Sequence, residues 1–114
     1  KITIETVALD DYFKDCINKI DFIKIDVEGH ELAVFKGGLE LLKKDKPILL
    51  FECEERHQNN QSIHDTFTFL QDLGYQGFFV QNGQLKSIEQ FSVETHQVPY
   101  HFKDKNYCNN FIFR

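Results

Sequence analysis

The sequence of 114 residues lacks methionine and tryptophan, and it contains only two prolines and three cysteines. Because there is no methionine, Lys1 is not a natural translation start, and we expect the chain to be a processed product or a piece of a longer protein. Cys16, Cys53 and Cys108 are odd in number and show no C-x-x-C spacing, which argues against a disulfide framework or a zinc ribbon. We therefore expect free thiols in a reducing, cytoplasmic compartment.

Long apolar runs and an excess of positive charge are also missing. The longest apolar run, residues 48–51, is far shorter than the roughly 20 residues that a membrane span needs. No signal-peptide pattern opens the chain. With 13 Lys and Arg against 18 Asp and Glu, the net charge is −5, which does not favour binding to nucleic-acid phosphates. We expect neither a membrane nor a nucleic acid as a partner.

The composition that is present is typical of one soluble globular domain, which we assign to residues 1–114. Hydrophobic residues make up 41% of the chain and charged residues 27%, and there are 12 phenylalanines. Those at positions 67, 69, 78, 79, 111 and 113 are expected in the core.

Hydrophobic periodicity predicts the first half of the fold. Residues 2–7 alternate as a short strand, and Asp10 or Asp11 then caps a helix whose apolar face extends to Ile20. A strand follows over residues 22–27, and then a helix over residues 31–44. Two adjacent glycines inside that helix, Gly37 and Gly38, indicate the close approach of a neighbour. The unalternating run over residues 48–53 predicts a strand buried on both faces.

Turn and cap signals predict the second half. Ser62 and Asp65 form a capping box for a third helix, which ends before Gly74. A strand over residues 75–81, the turn Asn82-Gly83 and a return strand over residues 84–88 form a hairpin. An irregular loop over residues 89–106 precedes a last strand at 110–114. Helices alternating with strands predict an α/β fold with a mostly parallel sheet and an antiparallel strand at its edge.

Acidic side chains follow two of these strands. Asp26, Glu28 and the imidazole of His30 stand at or after the end of the strand at residues 22–27, and Glu52 stands near the end of the strand at residues 48–53. Since ligands bind at the carboxyl ends of strands in open α/β sheets, we expect these four side chains to converge if the strands are neighbours.

Such a cluster allows several uses. Carboxylates and an imidazole can bind a divalent metal, supply a general base or hold a polar substrate. They can equally be solvated acids near the start of the next helix. Of these acids, Asp26 most strongly indicates a functional site, because it directly ends an apolar strand. Glu31 indicates one least, because it begins the helix. Cys53 is interpreted as a structural thiol, and the other histidines are interpreted as surface residues: His57, His64, His96 and His101. No phosphate-binding glycine loop occurs.

The segment FIKIDVEGHE at residues 22–31, followed by VFKG at 34–37, resembles the signature of the FkbM-type methyltransferases. The flanking segments VALDDY at 7–12 and PILLFE at 47–52 resemble the family as well. Ala8 and Gly38 depart from it, since Thr and Ala are common there.

The resemblance implies a Rossmann-like, doubly wound class I methyltransferase fold, of which this chain is the C-terminal half. Residues 24–27 and 48–52 would be its fourth and fifth strands. Residues 75–81 and 110–114 would be the sixth and seventh, with the seventh antiparallel between the fifth and sixth.

The resemblance also implies an activity, the S-adenosylmethionine-dependent methylation of a hydroxyl on a small molecule or sugar. Asp26 is then the base or substrate-orienting acid, with His30 as its rival, while Glu28 and Glu52 line the acceptor pocket. The family's cofactor loop lies upstream of this segment, so we name no cofactor ligand and expect the chain to be inactive alone. No metal is expected.

Two alternatives stay open. One is a metal-dependent carboxylate enzyme that uses Asp26, Glu28, His30 and Glu52, and the other is a non-enzymatic interaction domain. In the fold that the resemblance implies, the first strand of the family would pair beside residues 22–27. Without that strand, residues 22–27 leave an exposed sheet edge, through which we expect a homodimer.

Overall fold

The computed structural model describes residues 6–58, 61–97 and 106–114. Helices and strands alternate along the described chain, which makes it an α/β structure. In chain order they are α1 Leu9–Tyr12, β1 Phe22–Ile25, α2 Glu31–Gly37, α3 Leu39–Asp45, β2 Ile48–Glu52, α4 Ile63–Asp72, β3 Gly77–Gln81, β4 Gln84–Ser87, α5 Val93–His96 and β5 Asn110–Phe113. The strand predicted over residues 2–7 lies largely outside the described residues.

The five strands form one sheet in the order β1-β2-β5-β3-β4. Strands β1 and β2 are parallel neighbours, with Ile25 opposite Phe51. Strand β5 is antiparallel to both β2 and β3, and it lies between them. This confirms the position that the family resemblance implied for the last strand. The antiparallel strand predicted at the edge is β4, which the hairpin attaches to β3. The prediction of a mostly parallel sheet is wrong, because among the described strands β1 and β2 form the only parallel pair and the other three pairs are antiparallel.

The core lies on one face of this sheet. In β1, β2, β3 and β5 the odd-numbered residues point to that face, and Leu49, Phe111 and Phe113 are fully buried there. Helices α2 and α4 cover it, and the rings of Phe35 and Phe51 meet edge to face at 5.1 Å between centroids. The core prediction holds for the phenylalanines at 67, 79, 111 and 113, whereas those at 69 and 78 are only half-buried.

The opposite face of the sheet is open among the described residues, so the prediction that β2 is buried on both faces is wrong. Ile48 is 43% exposed, and Phe22, which pairs with it, is 53% exposed. Leu50 is half-buried. An apolar run shows that a strand has two apolar faces, but it does not show what covers each of them.

The first predicted helix is much shorter than expected. Helix α1 ends at Tyr12, and its N-cap is Ala8, which makes no side-chain cap bond. Ile17, which lies within the span of the predicted helix, is 94% exposed. Asp10 caps a different helix, because its carboxylate accepts hydrogen bonds from the amides of Glu40 and Leu41 at 2.9 Å each.

The helix predicted over residues 31–44 is divided at Gly38 into α2 and α3. The predicted close approach at the two glycines is confirmed. A Cβ atom on Gly37 would lie 3.3 Å from the Cβ of Ala8, and one on Gly38 would lie 3.1 Å from Cδ1 of Leu9. The glycines therefore let α1 pack directly against the backbone at this division.

The local signals of the second half are largely confirmed. Ser62 and Asp65 form the capping box of α4, with the Ser62 amide donating to the Asp65 carboxylate at 3.0 Å. Gly74 has a φ of +94°, and the turn Asn82-Gly83 joins β3 to β4 with both residues at positive φ. The predicted loop over residues 89–106 contains α5 in its described part, and residues 98–105 lie outside the description. In the part of the chain described, no helix has the length and apolar character to cross a membrane.

Candidate functional site

A polar cleft of about 390 Å³ opens at the carboxyl ends of β1 and β2. Asp26 and Glu52 directly follow the paired residues Ile25 and Phe51, so the parallel register brings them side by side. Glu28 joins them, as the strand order predicted. The full lining is Asp26, Glu28, Glu31, Glu52, Cys53, Glu54, Arg56, His57 and Asn109.

His30 is the predicted site residue that the structure does not bring into this cleft. It occupies the N-cap position of α2 and is exposed. It borders a separate hollow with Lys36 and Gln61. Its role as a rival base stays a prediction, and of the two residues Asp26 is the one that lines the cleft.

The turn between β1 and α2 requires its glycine. Glu28 and Gly29 both have positive φ, at 41° and 96°. A Cβ atom on Gly29 would lie 2.2 Å from the carbonyl oxygen of His57, which is closer than atoms can approach. The turn therefore packs directly against the segment that follows β2, and it closes one side of the cleft.

Glu31, which the sequence indicated as the least informative acid, is fully buried. One of its oxygens accepts hydrogen bonds from Cys53 Sγ at 3.3 Å and from Gln58 Nε2 at 3.2 Å. The other accepts from the Gly29 amide at 3.0 Å. A glutamate in the first turn of a helix is favourable at exposed positions, so no local pattern indicates this burial.

Glu54 is held by two basic side chains. Its carboxylate lies 3.3 Å from Nε of Arg56 and 3.6 Å from Nδ1 of His57. Glu54 is buried, whereas His57, which was predicted as a surface residue, is half-buried. This ion pair balances one of the cleft's negative charges.

His96 is also wrongly predicted as a surface residue. It is buried, its ring stacks on Phe91 at 5.4 Å, and Nδ1 accepts from the Ser92 amide at 3.0 Å. Burial lowers the pKa of His96 below the ordinary histidine value. It is thus a core residue rather than part of the cleft. His64 is exposed as predicted, and His101 lies outside the described residues.

Asp26 and Glu52 form a carboxyl pair. The hydrogen bond that Glu52 shares with Asp26 raises the pKa of Glu52, and its burial and the charges of Asp26 and Glu54 raise it further. Lys24 acts in the opposite direction. A carboxyl group with a raised pKa can take up a proton closer to neutral pH than an ordinary one, which is what a general base in this position needs.

Cys53 is a structural thiol, as predicted. Burial, followed by the charge and hydrogen bond of Glu31, raises the pKa of the Cys53 thiol strongly. The thiol stays protonated and donates to Glu31, which makes it a poor nucleophile. All three cysteines of the chain are free.

The cleft acids do not form a ready metal centre. Across residues 6–58, 61–97 and 106–114, no three His, Cys, Asp or Glu side chains are arranged to hold a metal ion.

One family of known proteins matches this chain. A family model described as the methyltransferase FkbM domain matches residues 1–76, which include β1, β2 and most of the cleft lining. Neither the curated proteins nor the solved structures contain a match. Since the model covers 76 of the 114 residues, this chain belongs to the FkbM methyltransferase domain family.

Proposed function

We propose that this methyltransferase domain serves the transfer of a methyl group from S-adenosylmethionine to a hydroxyl of a small molecule or sugar. The observation that carries the proposal is the Asp26–Glu52 pair, which lies in a cleft at the strand ends of a chain from a methyltransferase family. We place the acceptor hydroxyl at this pair and assign Glu28 to the acceptor side of the cleft.

A Rossmann-like, doubly wound fold is part of the proposal. The order β1-β2-β5-β3 supports it, with the antiparallel β5 inserted between two strands that run in the same direction. The open face of the sheet, with Phe22 and Ile48 exposed, leaves room for the second layer that double winding requires.

The charge of the cleft fits a cationic methyl donor. Five carboxylate residues line it, against Arg56 and His57. A sulfonium ion is attracted to such a surface, and Asp26 and Glu28 are the exposed acids able to face it. The described lining contains no large aliphatic side chain and no Phe or Tyr to stack on adenine, so we assign only the sulfonium end of the donor to this cleft.

The chain's own contribution to the reaction is alignment and proton removal. When bound, S-adenosylmethionine supplies an electrophilic methyl group. The Asp26–Glu52 pair accepts the proton of the acceptor hydroxyl, which makes the oxygen a better nucleophile. The hydrogen bond from Asn109 Nδ2 to Glu52 Oε1, at 3.4 Å, helps to orient the pair.

The test is methyl transfer by the protein expressed from its complete native gene. Labelled S-adenosylmethionine is offered with a panel of sugars and small hydroxyl compounds. We expect Asp26→Asn to lower kcat by about 10²–10⁴-fold, the usual contribution of a general base. The matched control is Asp72→Asn, at the exposed end of α4, which should leave kcat unchanged.

Two outcomes would contradict the proposal. Full activity in Asp26→Asn would remove the pair from the mechanism. A folded protein that binds no methyl donor would favour the interaction-domain alternative. We also propose that the 114 residues alone are inactive, and turnover by the isolated chain would overturn that part.

A further inference from the structure

We propose that Glu31 is a positioning residue of the cleft, whose buried carboxylate ties the turn after β1 to the end of β2 and so sets the contact between Asp26 and Glu52. The catalytic consequence rests on the proposed function, whereas the positioning itself can be tested without any methyl donor.

Three segments meet at the Glu31 carboxylate. The Gly29 amide belongs to the turn after β1 and donates at 3.0 Å, and the Cys53 thiol follows β2 and donates at 3.3 Å. Gln58 Nε2 donates at 3.2 Å, and it also donates to the carbonyl of Glu54 at 3.1 Å. Glu31 itself is anchored in the first turn of α2.

The positions of these donors along the chain explain the effect on the pair. Cys53 directly follows Glu52, and Gly29 lies three residues after Asp26. A carboxylate that holds both donors fixes the distance between the two strand ends beyond the last paired residues. Hydrogen bonds to a charged group in a buried site are strong, so this link resists the separation of the strand ends.

Glu31 is not itself placed to act on a substrate. It is 0% exposed, and both of its oxygens accept hydrogen bonds from the protein. It belongs to the cleft lining but is buried, whereas Asp26 and Glu28 are exposed. Its influence on proton transfer must therefore pass through the Asp26–Glu52 contact.

The experiment follows the titration of Glu52 by carboxyl-carbon NMR in the protein from its complete gene, without any ligand. We expect Glu31→Gln to move the Glu52 midpoint down toward the ordinary glutamate value, because the contact with Asp26 loosens. The Gly29 amide should exchange with solvent about tenfold faster or more. Asp72→Asn, remote from the cleft, should change neither quantity.

A neutral pair of variants separates positioning from a simple change of charge. Cys53→Ser keeps a donor to Glu31, whereas Cys53→Ala removes it, and neither substitution alters the charge of the cleft. We expect the serine variant to titrate like the wild type and the alanine variant to shift in the same direction as Glu31→Gln.

An unchanged Glu52 midpoint in both folded Glu31→Gln and folded Cys53→Ala overturns the positioning role. If Glu31→Gln does not fold, the two Cys53 variants decide the question. A shifted midpoint in a protein that transfers no methyl group would refute the proposed function alone. Normal transfer with no shift in any variant would refute the positioning role alone.

Discussion

Glu31 and Glu52 show how differently one residue type is used within a single cleft. Glu31 is fully buried and receives three protein donors. Glu52 is partly exposed and shares its hydrogen bond with another carboxyl group, which raises its pKa. Environment rather than residue type separates a supporting carboxylate from one that can exchange a proton.

Replacing Glu52 with glutamine should stabilise the fold at neutral pH. The folded-state pKa of Glu52 lies above the unfolded value, so its favourable contribution is present below the unfolded pKa and is lost as the pH rises through the folded pKa. At pH 7, which lies above the unfolded pKa, the raised pKa therefore favours the unfolded state. Thermal unfolding of Glu52→Gln should show a higher Tm than wild type at pH 7 and a similar Tm near pH 3.5. If Glu52→Gln had a lower Tm than the wild type at pH 7, the raised pKa of Glu52 in the carboxyl pair would be contradicted.

Two glycines at positive φ give a matched test of the turn beside the cleft. Gly83→Ala meets open space, so it should cost only the left-handed strain of about 1–2 kcal/mol. Gly29→Ala adds a Cβ atom that overlaps the His57 carbonyl, so the free energy of unfolding should fall by more than about 3 kcal/mol. Urea denaturation measures both. Equal losses would show that the Gly29 turn is not held against His57.

The positions of the cleft acids follow from local patterns in the sequence, but the surroundings of these acids do not. Asp26, Glu28 and Glu52 could be predicted because each follows a strand end, and strand ends meet at one edge. Glu31 and His57 could not, because their burial depends on Gly29 and on the segment after β2, which are distant in sequence from each other. No local pattern encodes such a contact.

At the scale of elements, a helix of this chain can be capped by a side chain that is distant in sequence as well as by a neighbouring one. Asp10 lies in α1 but caps the first turn of α3 through the amides of Glu40 and Leu41. Two adjacent glycines let the two helices approach closely enough for this. The cap explains why the predicted single helix is divided at Gly38, where a new helix begins.

Removing this cap should weaken the first half of the domain. Asp10→Ala leaves two amides of α3 without their acceptor, and we expect a loss of about 1 kcal/mol in the free energy of unfolding. Asp11→Ala is the matched control, since Asp11 is exposed in the same helix, and its effect should stay within about 0.5 kcal/mol. Chemical denaturation of both variants measures the difference. Identical stabilities would mean that the cap contributes nothing.

Elements whose determining residues are close together in sequence could be predicted. Elements that depend on tertiary contacts could not. The capping box of Ser62 and Asp65 and the turn Asn82-Gly83 lie within a few residues of sequence, and both are confirmed. The helix predicted to reach Ile20 ended at Tyr12, because its apolar spacing matched a helical face that nothing in the described structure covers at Ile17.

At the scale of the whole molecule, the described strands form a sheet with one covered face and with β1 and β4 at its two edges. Strand β1 pairs only with β2, and it stands at the end of the sheet among the described strands. Phe22 and Ile48 are exposed beside that edge. Unpaired strand edges with apolar side chains favour association with another chain.

We propose that a second copy of the chain pairs with this edge, so that light scattering should show a dimer whose fraction grows with concentration. Phe22→Lys places a charge beside the edge and should shift the equilibrium to monomer. Leu85→Lys, at an exposed apolar position on β4 at the other end of the sheet, should leave dimerisation unchanged. A wild-type chain that is monomeric at every concentration would contradict the proposal.

The most direct test of the cleft's function is an NMR titration of the protein from its complete gene with S-adenosylmethionine and with S-adenosylhomocysteine, whose sulfur is neutral. The amides of Asp26, Glu28 and Glu52 should shift with both ligands, and binding should be tighter for the sulfonium, because the cleft is acidic. The preference should disappear in the double variant Asp26→Asn, Glu52→Gln. Shifts confined to other parts of the protein, or equal affinities for the two ligands in the wild type, would contradict the assignment of this cleft to the methyl donor.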